Sequence, residues 1–483
     1  MSDLKSRLDH FFGISAREST FSREIRGGLA TFFTMAYIVV LNPIIIATAQ
    51  DVQKQYIGDG TAGPNVALVA AGTAFVAGVM TILMGTVARV PFAMAAGLGI
   101  NAFVAFSIAP VMTWEAAMGL VFLEGVIIGV LVLTGFRVAV FHAIPTELKT
   151  AISVGIGLFI ALIGFVDAGF VRRATGGPAL EMGIGGSLTS WPIFVFLVGL
   201  LVTAGLVARR VKGAILIGIV STTVLAVIVE LVARVGRFSA ENPGGWQLNQ
   251  PTVPKPSEII GFHNPLTLFT EFDPFGAFSQ VSVLLAVLFV FTLLITDFFD
   301  TMGTMVGVGR QAGLLREDGT LPRTKEILLV DSLGAAVGGA GSVSSNTTYI
   351  ESAAGVGEGA RTGLASVVTG LLFLGAIFFA PLVVIVPHEA AAPALVVVGF
   401  LMMTSVREID FTDYEIAIPA FLTIVVMPFT YSISNGVGAG FISYVFIKIV
   451  RGKAREIHPL LWVVTLLFVL YFALGPIKAL LGL

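Results

Sequence analysis

The sequence has no cysteine, which excludes disulfides, thiolate chemistry and Cys-based metal sites. Its five histidines are scattered and form no ligand cluster, so no metal and no cofactor is expected. Charge is scarce as well, at 12% of residues against about 25% in soluble domains. A formal net charge of −2 gives no electrostatic footprint for nucleic acid. No Gly-x4-Gly-Lys-Ser/Thr loop occurs, so nothing points to an ATP-driven pump. The first 24 residues are charged and polar and carry no signal-peptide h-region with a cleavage site. The first span, from about Ile25, is expected to stay as an uncleaved anchor.

What fills the chain is apolar sequence, 56% of 483 residues. A run of about 20 apolar residues crosses a bilayer as a helix. Full spans are predicted near 25–49, 66–88, 113–135, 146–166, 190–208, 213–235, 280–308, 326–341, 361–387, 391–406, 415–431 and 434–450. Two interrupted segments, 91–109 and 343–357, bring the set to fourteen. Segment 459–480 fits an extra span, a re-entrant piece or an interfacial helix equally. The fold class is therefore an all-α polytopic membrane protein.

Basic residues orient it. With a cytoplasmic N-terminus, 21 of the 28 Lys and Arg fall on the inner side, among them Arg89, Arg137, Lys149, Arg310 and Lys448. Six fall outside (Lys54, Arg172, Arg173, Arg234, Arg237, Lys255), and Lys478 lies in the last apolar segment. Such a bias suits a plasma (inner) membrane protein. The polar outer loop 236–279 then separates two halves of seven spans. An odd number per half inverts the second half, so any repeat must be an inverted one. The interrupted segments are third in each half, and paired Gly-interrupted segments are the best sequence pointer to a transporter binding site.

The second of these, Gly338 to Gly357, holds glycines, hydroxyls, an amide and Glu351. Irregular polar backbone survives at membrane depth only inside protein or along a water-filled cavity. An ionisable residue there is a functional candidate by default. Glu351 can accept two N–H donors side by side, and half-helix N-termini nearby suit acceptor atoms. Together they fit a flat heterocycle with donors and acceptors on one edge. Asn346 and Thr348 precede Glu351; the plainer reading of all three is polar contact between helices. In the first interrupted segment, Gly97 and Gly99 permit close backbone approach. Asn101 adds an amide able to hold a carboxylate or a ligand. Simple helix packing through small residues is the alternative.

The preceding span carries Leu294-Ile-Thr-Asp-Phe-Phe-Asp-Thr-Met-Gly-Thr304. Asp297 lies 13 residues before Arg310, roughly 20 Å of helical rise, hence deep in the bilayer. Asp297, Asp300, Thr301 and Thr304 share one helical face. Two carboxylates one turn apart repel when both are ionised, which suits taking up and releasing a proton. Phe298 and Phe299 could stack on a ligand or simply be core. Glu124, mid-span, fits a proton path or a structural pair; Asp331 fits a structural role better.

At these motifs the sequence resembles the NCS2-type nucleobase–cation symporters, and within them the AzgA-like hypoxanthine, guanine and adenine permeases. The resemblance runs through Glu24-Ile-Arg-Gly-Gly-Leu-Ala-Thr-Phe-Phe-Thr-Met-Ala-Tyr-Ile-Val-Val-Leu-Asn-Pro43, Ala96-Gly-Leu-Gly-Ile-Asn-Ala-Phe103 and Thr296-Asp-Phe-Phe-Asp-Thr-Met-Gly-Thr304. It continues with Thr347-Thr-Tyr-Ile-Glu-Ser-Ala-Ala-Gly355 and Met427-Pro-Phe-Thr-Tyr-Ser-Ile-Ser-Asn-Gly436. It implies two inverted seven-span repeats with short β-like pieces in spans three and ten. A core would comprise 25–135 and 280–387, and a gate 136–235 and 388–450, with 1–24 a cytoplasmic tail and 451–483 beyond the plan. Glu351 and Asp297 resemble the acidic purine contacts, with Asn101 and Asp300 as supporting groups. Gly99, Thr348 and Phe298 are expected to line the site, and Thr301, Glu124 and Asn346 to support proton coupling. The family usually works as a proton symporter, with sodium as the other cation, and often as a dimer.

Three rivals remain. A relative carrying xanthine, uracil or an inorganic anion would keep the fold. A gated channel would conduct without substrate. A membrane enzyme would need a metal cluster or nucleophile–base pair, which the sequence does not offer.

Overall fold

The computed structural model describes residues 2–58, 63–134, 144–173, 180–239, 241–247, 249–255, 259–270, 272–316 and 321–481. The boundary expected at 135/136, with Arg137, lies outside the described residues. The side chains of Phe299, Arg310 and Lys478 also lie outside them.

A short helix α1 (Ser2–Phe12) precedes the first apolar stretch, which is two helices, α2 (Phe21–Met35) and α3 (Ile38–Ile46). Then come α4 (Val66–Leu83), β1 (Met94–Ala96), α5 (Leu98–Phe103) and α6 (Trp114–Thr134). Next are α7 (Thr146–Asp167), a hairpin of β2 (Val171–Arg173) and β3 (Leu180–Met182), α8 (Trp191–Ala208) and α9 (Ala214–Ala233). The second half runs α10 (Val283–Gln311), α11 (Thr324–Ala340), β4 (Asn346–Thr348), α12 (Ser352–Gly357) and α13 (Gly363–Ala376). It ends with α14 (His388–Met403), α15 (Tyr414–Thr430), α16 (Ile433–Val450) and α17 (Pro459–Leu481). Among the described residues, ten helical stretches are long and apolar enough to cross a membrane.

Packing repeats between the halves. The α6–α11 contact is answered by α4–α13, α8–α9 by α15–α16, α8–α14 by α7–α15, and α2–α13 by α6–α10. β1 against β4 and α7 against α14 are their own counterparts. The same pairs recur in both halves and β1 runs antiparallel to its counterpart β4, as in an inverted repeat. The contacts also sort into two groups: α2 to α6 with α10 to α13, and α7 to α9 with α14 to α16. The groups meet mainly where α10 touches α7 and α16, α5 touches α7, α2 touches α9, and α3 touches α14.

The chain beyond α16 is one helix, α17, packed along α16 and α10. The described residues of loop 236–279 fold back on the helix ends rather than hanging in water. Trp246 is fully buried and its Nε1–H donates to Glu230 Oε2 at 2.8 Å. Leu268 is buried, and its carbonyl accepts from the Ser342 hydroxyl at 3.2 Å.

Candidate functional site

Two three-residue strands form the centre. They pair antiparallel, with Met94 opposite Thr348, Ala95 opposite Thr347 and Ala96 opposite Asn346. Gly97 N–H to Ser345 O (3.0 Å) and Tyr349 N–H to Ala93 O (2.9 Å) lengthen the ladder. A two-stranded ribbon leaves outer edges unpaired, and buried backbone groups need partners. Side chains supply them. The Thr81 hydroxyl accepts from Met94 N–H (2.9 Å) and donates to Met94 O (3.0 Å). Ser352 Oγ accepts from Ala93 N–H (2.9 Å). Asp331 Oδ1 accepts from Thr348 N–H (3.2 Å). The chain enters β4 through Ser342 and Ser344 at φ 52° and 69°, left-handed conformations that each cost a non-glycine residue about 1–2 kcal/mol.

The acids predicted from sequence fall into two sets. In the first, Glu351 begins α12 half-buried, and its Oε1 accepts from Tyr37 Oη at 2.6 Å. Tyr37 reaches it because the chain breaks between α2 and α3. Asp300 is exposed and lies within electrostatic reach of Glu351. Tyr349 Oη donates to Ala96 O at 2.6 Å, closing this side against β1.

In the second set, Glu124 on α6 and Asp297 on α10 have no exposed surface. Their carboxyl groups lie at hydrogen-bonding range of each other. Among the described residues no N–H or O–H group donates to any of the four oxygens. One turn after Asp297, Thr301 Oγ1 donates to Asp331 Oδ2 at 2.8 Å and meets Thr347 Oγ1 at 2.6 Å. A hydroxyl has a single proton. Thr301 spends it on the carboxylate, so Thr347 is the donor in the second contact. The Thr348 hydroxyl donates to Asp331 Oδ1 at 3.0 Å. Asp331 is thus a three-bond strut between α10, α11 and β4.

The remaining predicted residues surround this crossing. Asn101 and Asn346 are buried, and neither amide has a hydrogen-bond partner. The hydroxyls of Ser344 and Ser345 are likewise buried and unmet. Phe298 is 3% exposed. Gly99 faces the other packing group: a Cβ there would stand 2.7 Å from Ile156 Cγ2 on α7. Among the described residues no group of three His, Cys, Asp or Glu is arranged to hold a metal.

A family model described as Permease family (Xan_ur_permease) matches residues 22–438, a stretch that takes in both strands and all these acids. The chain belongs to this permease family. The NCS2 resemblance read from the motifs therefore holds, on its purine side. The guanine/hypoxanthine permease PbuG of Bacillus subtilis (strain 168) is 39% identical over 468 residues, covering 96% of this chain and 98% of that protein. The adenine permease AdeP of Escherichia coli (strain K12) is 38% identical over 467 residues, covering 96% and 95%. Among solved structures, the transmembrane domain of a cyanobacterium bicarbonate transporter, BicA, shares the fold. Its TM-score is 0.58 at 13% identity, over 87% of this chain and 97% of that one. The chain is accordingly a multi-pass membrane protein of the permease family.

Sequence reasoning singled out Glu351 but missed Tyr37, which lies in the first family motif, and Tyr349, two residues before Glu351. It also ranked Asp331 as structural without finding what it holds. Their signal was present: polar groups in otherwise apolar helices. Their partners were not legible.

Proposed function

We propose that this permease is a secondary active transporter that imports purine bases, hypoxanthine, guanine and adenine, together with protons. The observation that carries this reading is the set of buried, unmet polar groups at the strand crossing: Asn101, Asp297, Ser344, Ser345 and Asn346. Each buried polar atom without a partner costs about 1–3 kcal/mol. Such a set is stable in a protein only if something polar is there to meet it for part of its working cycle. A purine offers ring acceptors and N–H donors on two edges. Glu351 accepts N–H donors from the pyrimidine edge, and Asp297 meets the imidazole side. Asn101, Gly99, Thr348 and Phe298 line the position, while Asp300, Thr301, Glu124 and Asn346 support proton exchange. The names of PbuG and AdeP support the purine class. Five acids around one crossing oppose an inorganic anion, although the fold also serves a bicarbonate transporter.

In this reading the group holding β1 and β4 is a core, and the other group a gate that the core moves against. The 21-to-6 distribution of basic residues supports a cytoplasmic N-terminus in the plasma (inner) membrane. The test is uptake of radiolabelled hypoxanthine into purine-transport-deficient bacteria expressing wild type, Asp297→Ala or Glu351→Ala, with membrane blots to equalise expression. Saturable uptake that guanine or adenine competes for, that a protonophore abolishes and that both variants lack is the expected result. Uptake surviving both substitutions would refute the site.

A further inference from the structure

We propose that Glu124 and Asp297 are the proton-binding site of transport, holding a single proton between their two carboxyl groups. This inference rests on the reading of the chain as a proton-coupled purine transporter.

The geometry is built from two contacts. Gly125, beside Glu124, sits so close to α11 that a Cβ would be 2.3 Å from Ala336 N. The α6 and α11 backbones therefore touch, which fixes the depth of Glu124. Helix α10 packs on α6 and brings Asp297 to it. Both side chains are fully buried, and among the described residues no group donates to either. Two unprotonated carboxylates in that arrangement would be uncompensated buried charges in contact, which proteins do not tolerate. One proton turns the contact into an O–H···O⁻ hydrogen bond, among the strongest available. Among the described residues, the charged groups that face the pair are Asp331 for both acids and Asp300 for Asp297, all acidic. Asp331 is itself compensated by hydrogen bonds from Thr301 and Thr348.

The pair also sits where it can sense substrate. Asp297 is one turn from Asp300, which is exposed on the Glu351 side, and from Thr301, which touches β4. When a purine N–H donates to one Asp297 oxygen, the shared proton settles on Glu124 and still bonds the other oxygen. The step is a proton shift along one hydrogen bond: the Asp297 O–H breaks as the Glu124 O–H forms. Without the proton the acids repel and Asp297 loses its orientation. Substrate and proton thus favour each other's binding, and the coupling is reciprocal.

Two measurements on purified, monodisperse protein test this. In infrared difference spectra without purine, wild type minus Glu124→Gln and wild type minus Asp297→Asn should each show a protonated-carboxyl band. Its absence from both would overturn the proposal whatever the substrate is. In proteoliposomes, wild-type purine affinity should weaken by about tenfold per pH unit once the pair loses its proton. Glu124→Gln, whose amide donates to Asp297 permanently, should show no such slope and no purine-driven proton flux. A wild-type slope and flux in Glu124→Gln would overturn the pair as the coupling site. If wild type binds no purine, the transport reading fails, and the infrared band still decides whether the pair holds a proton.

Discussion

Asp331 gives the sharpest test of how the strand crossing is held. Replacing it with alanine removes the acceptor of three hydrogen bonds, from Thr348 N–H, the Thr348 hydroxyl and the Thr301 hydroxyl. The last is not recovered, because Thr347 already donates across the 2.6 Å contact to Thr301, and turning the Thr301 proton there only orphans the Thr347 proton instead. Three donors lose their partner, two of them on Thr348, which is 1% exposed. At about 1–3 kcal/mol each, with some relief from water entering the vacated volume, Asp331→Ala should destabilise by about 3–6 kcal/mol. Asp331→Asn behaves differently. Its amide oxygen serves Thr348, and its NH2 can donate to Thr301 once that hydroxyl turns to Thr347, which leaves only the Thr347 proton unmet. The cost should be about 1–2 kcal/mol. Thermal unfolding of the detergent-solubilised protein, followed by size-exclusion fluorescence, should rank wild type close to Asn and well above Ala. Uptake should follow the same order, because β4 positions Asn346 and leads directly to Glu351. An alanine variant as stable as wild type, or an asparagine variant as damaged as alanine, would refute the strut.

Gly99→Ala should slow transport at least about tenfold by pressing on Ile156, and Ile156→Ala should restore it; a double variant as slow as the single one would remove the steric argument. Tyr37→Phe deletes the 2.6 Å bond to Glu351, and at about 1.4 kcal/mol, discounted because Glu351 is half-exposed, KM for purine should rise about tenfold; an unchanged KM would mean Tyr37 does not orient the acid. Ser344→Gly should relieve left-handed backbone strain and raise thermal stability, while weakening purine binding if the hydroxyl meets substrate; a stability loss would contradict the strain. At the start of α15, Glu415 bonds Lys448 (2.8 Å), Arg451 (2.9 Å) and Lys453 (2.6 Å). Glu415→Gln should lower the unfolding temperature and leave purine KM alone, so a KM change would tie this cluster to the site.

Helices, halves and the two interrupted segments were readable from the chain because each depends on neighbours within about twenty residues. Apolar length makes a span wherever it occurs, and glycine with polar side chains breaks one. Glu351, Asp297 and Asn101 stood out for the same local reason: buried polarity is costly in any apolar helix. Even so, the first predicted span turned out to be two helices, and that break is what delivers Tyr37 to Glu351, 314 residues away. Partners were decided by the tertiary structure. Which residues of β1 face β4, which hydroxyl serves Asp331, and that Glu124 meets Asp297 all depend on how packed helices are rotated and how deep they sit. Contacts such as Gly125 on Ala336 set those rotations, and no periodicity along a single helix records them. Sequence therefore determined what kind of protein this is and which residues cannot be idle. Only the fold determined that Glu351 meets Tyr37 while Glu124 meets Asp297.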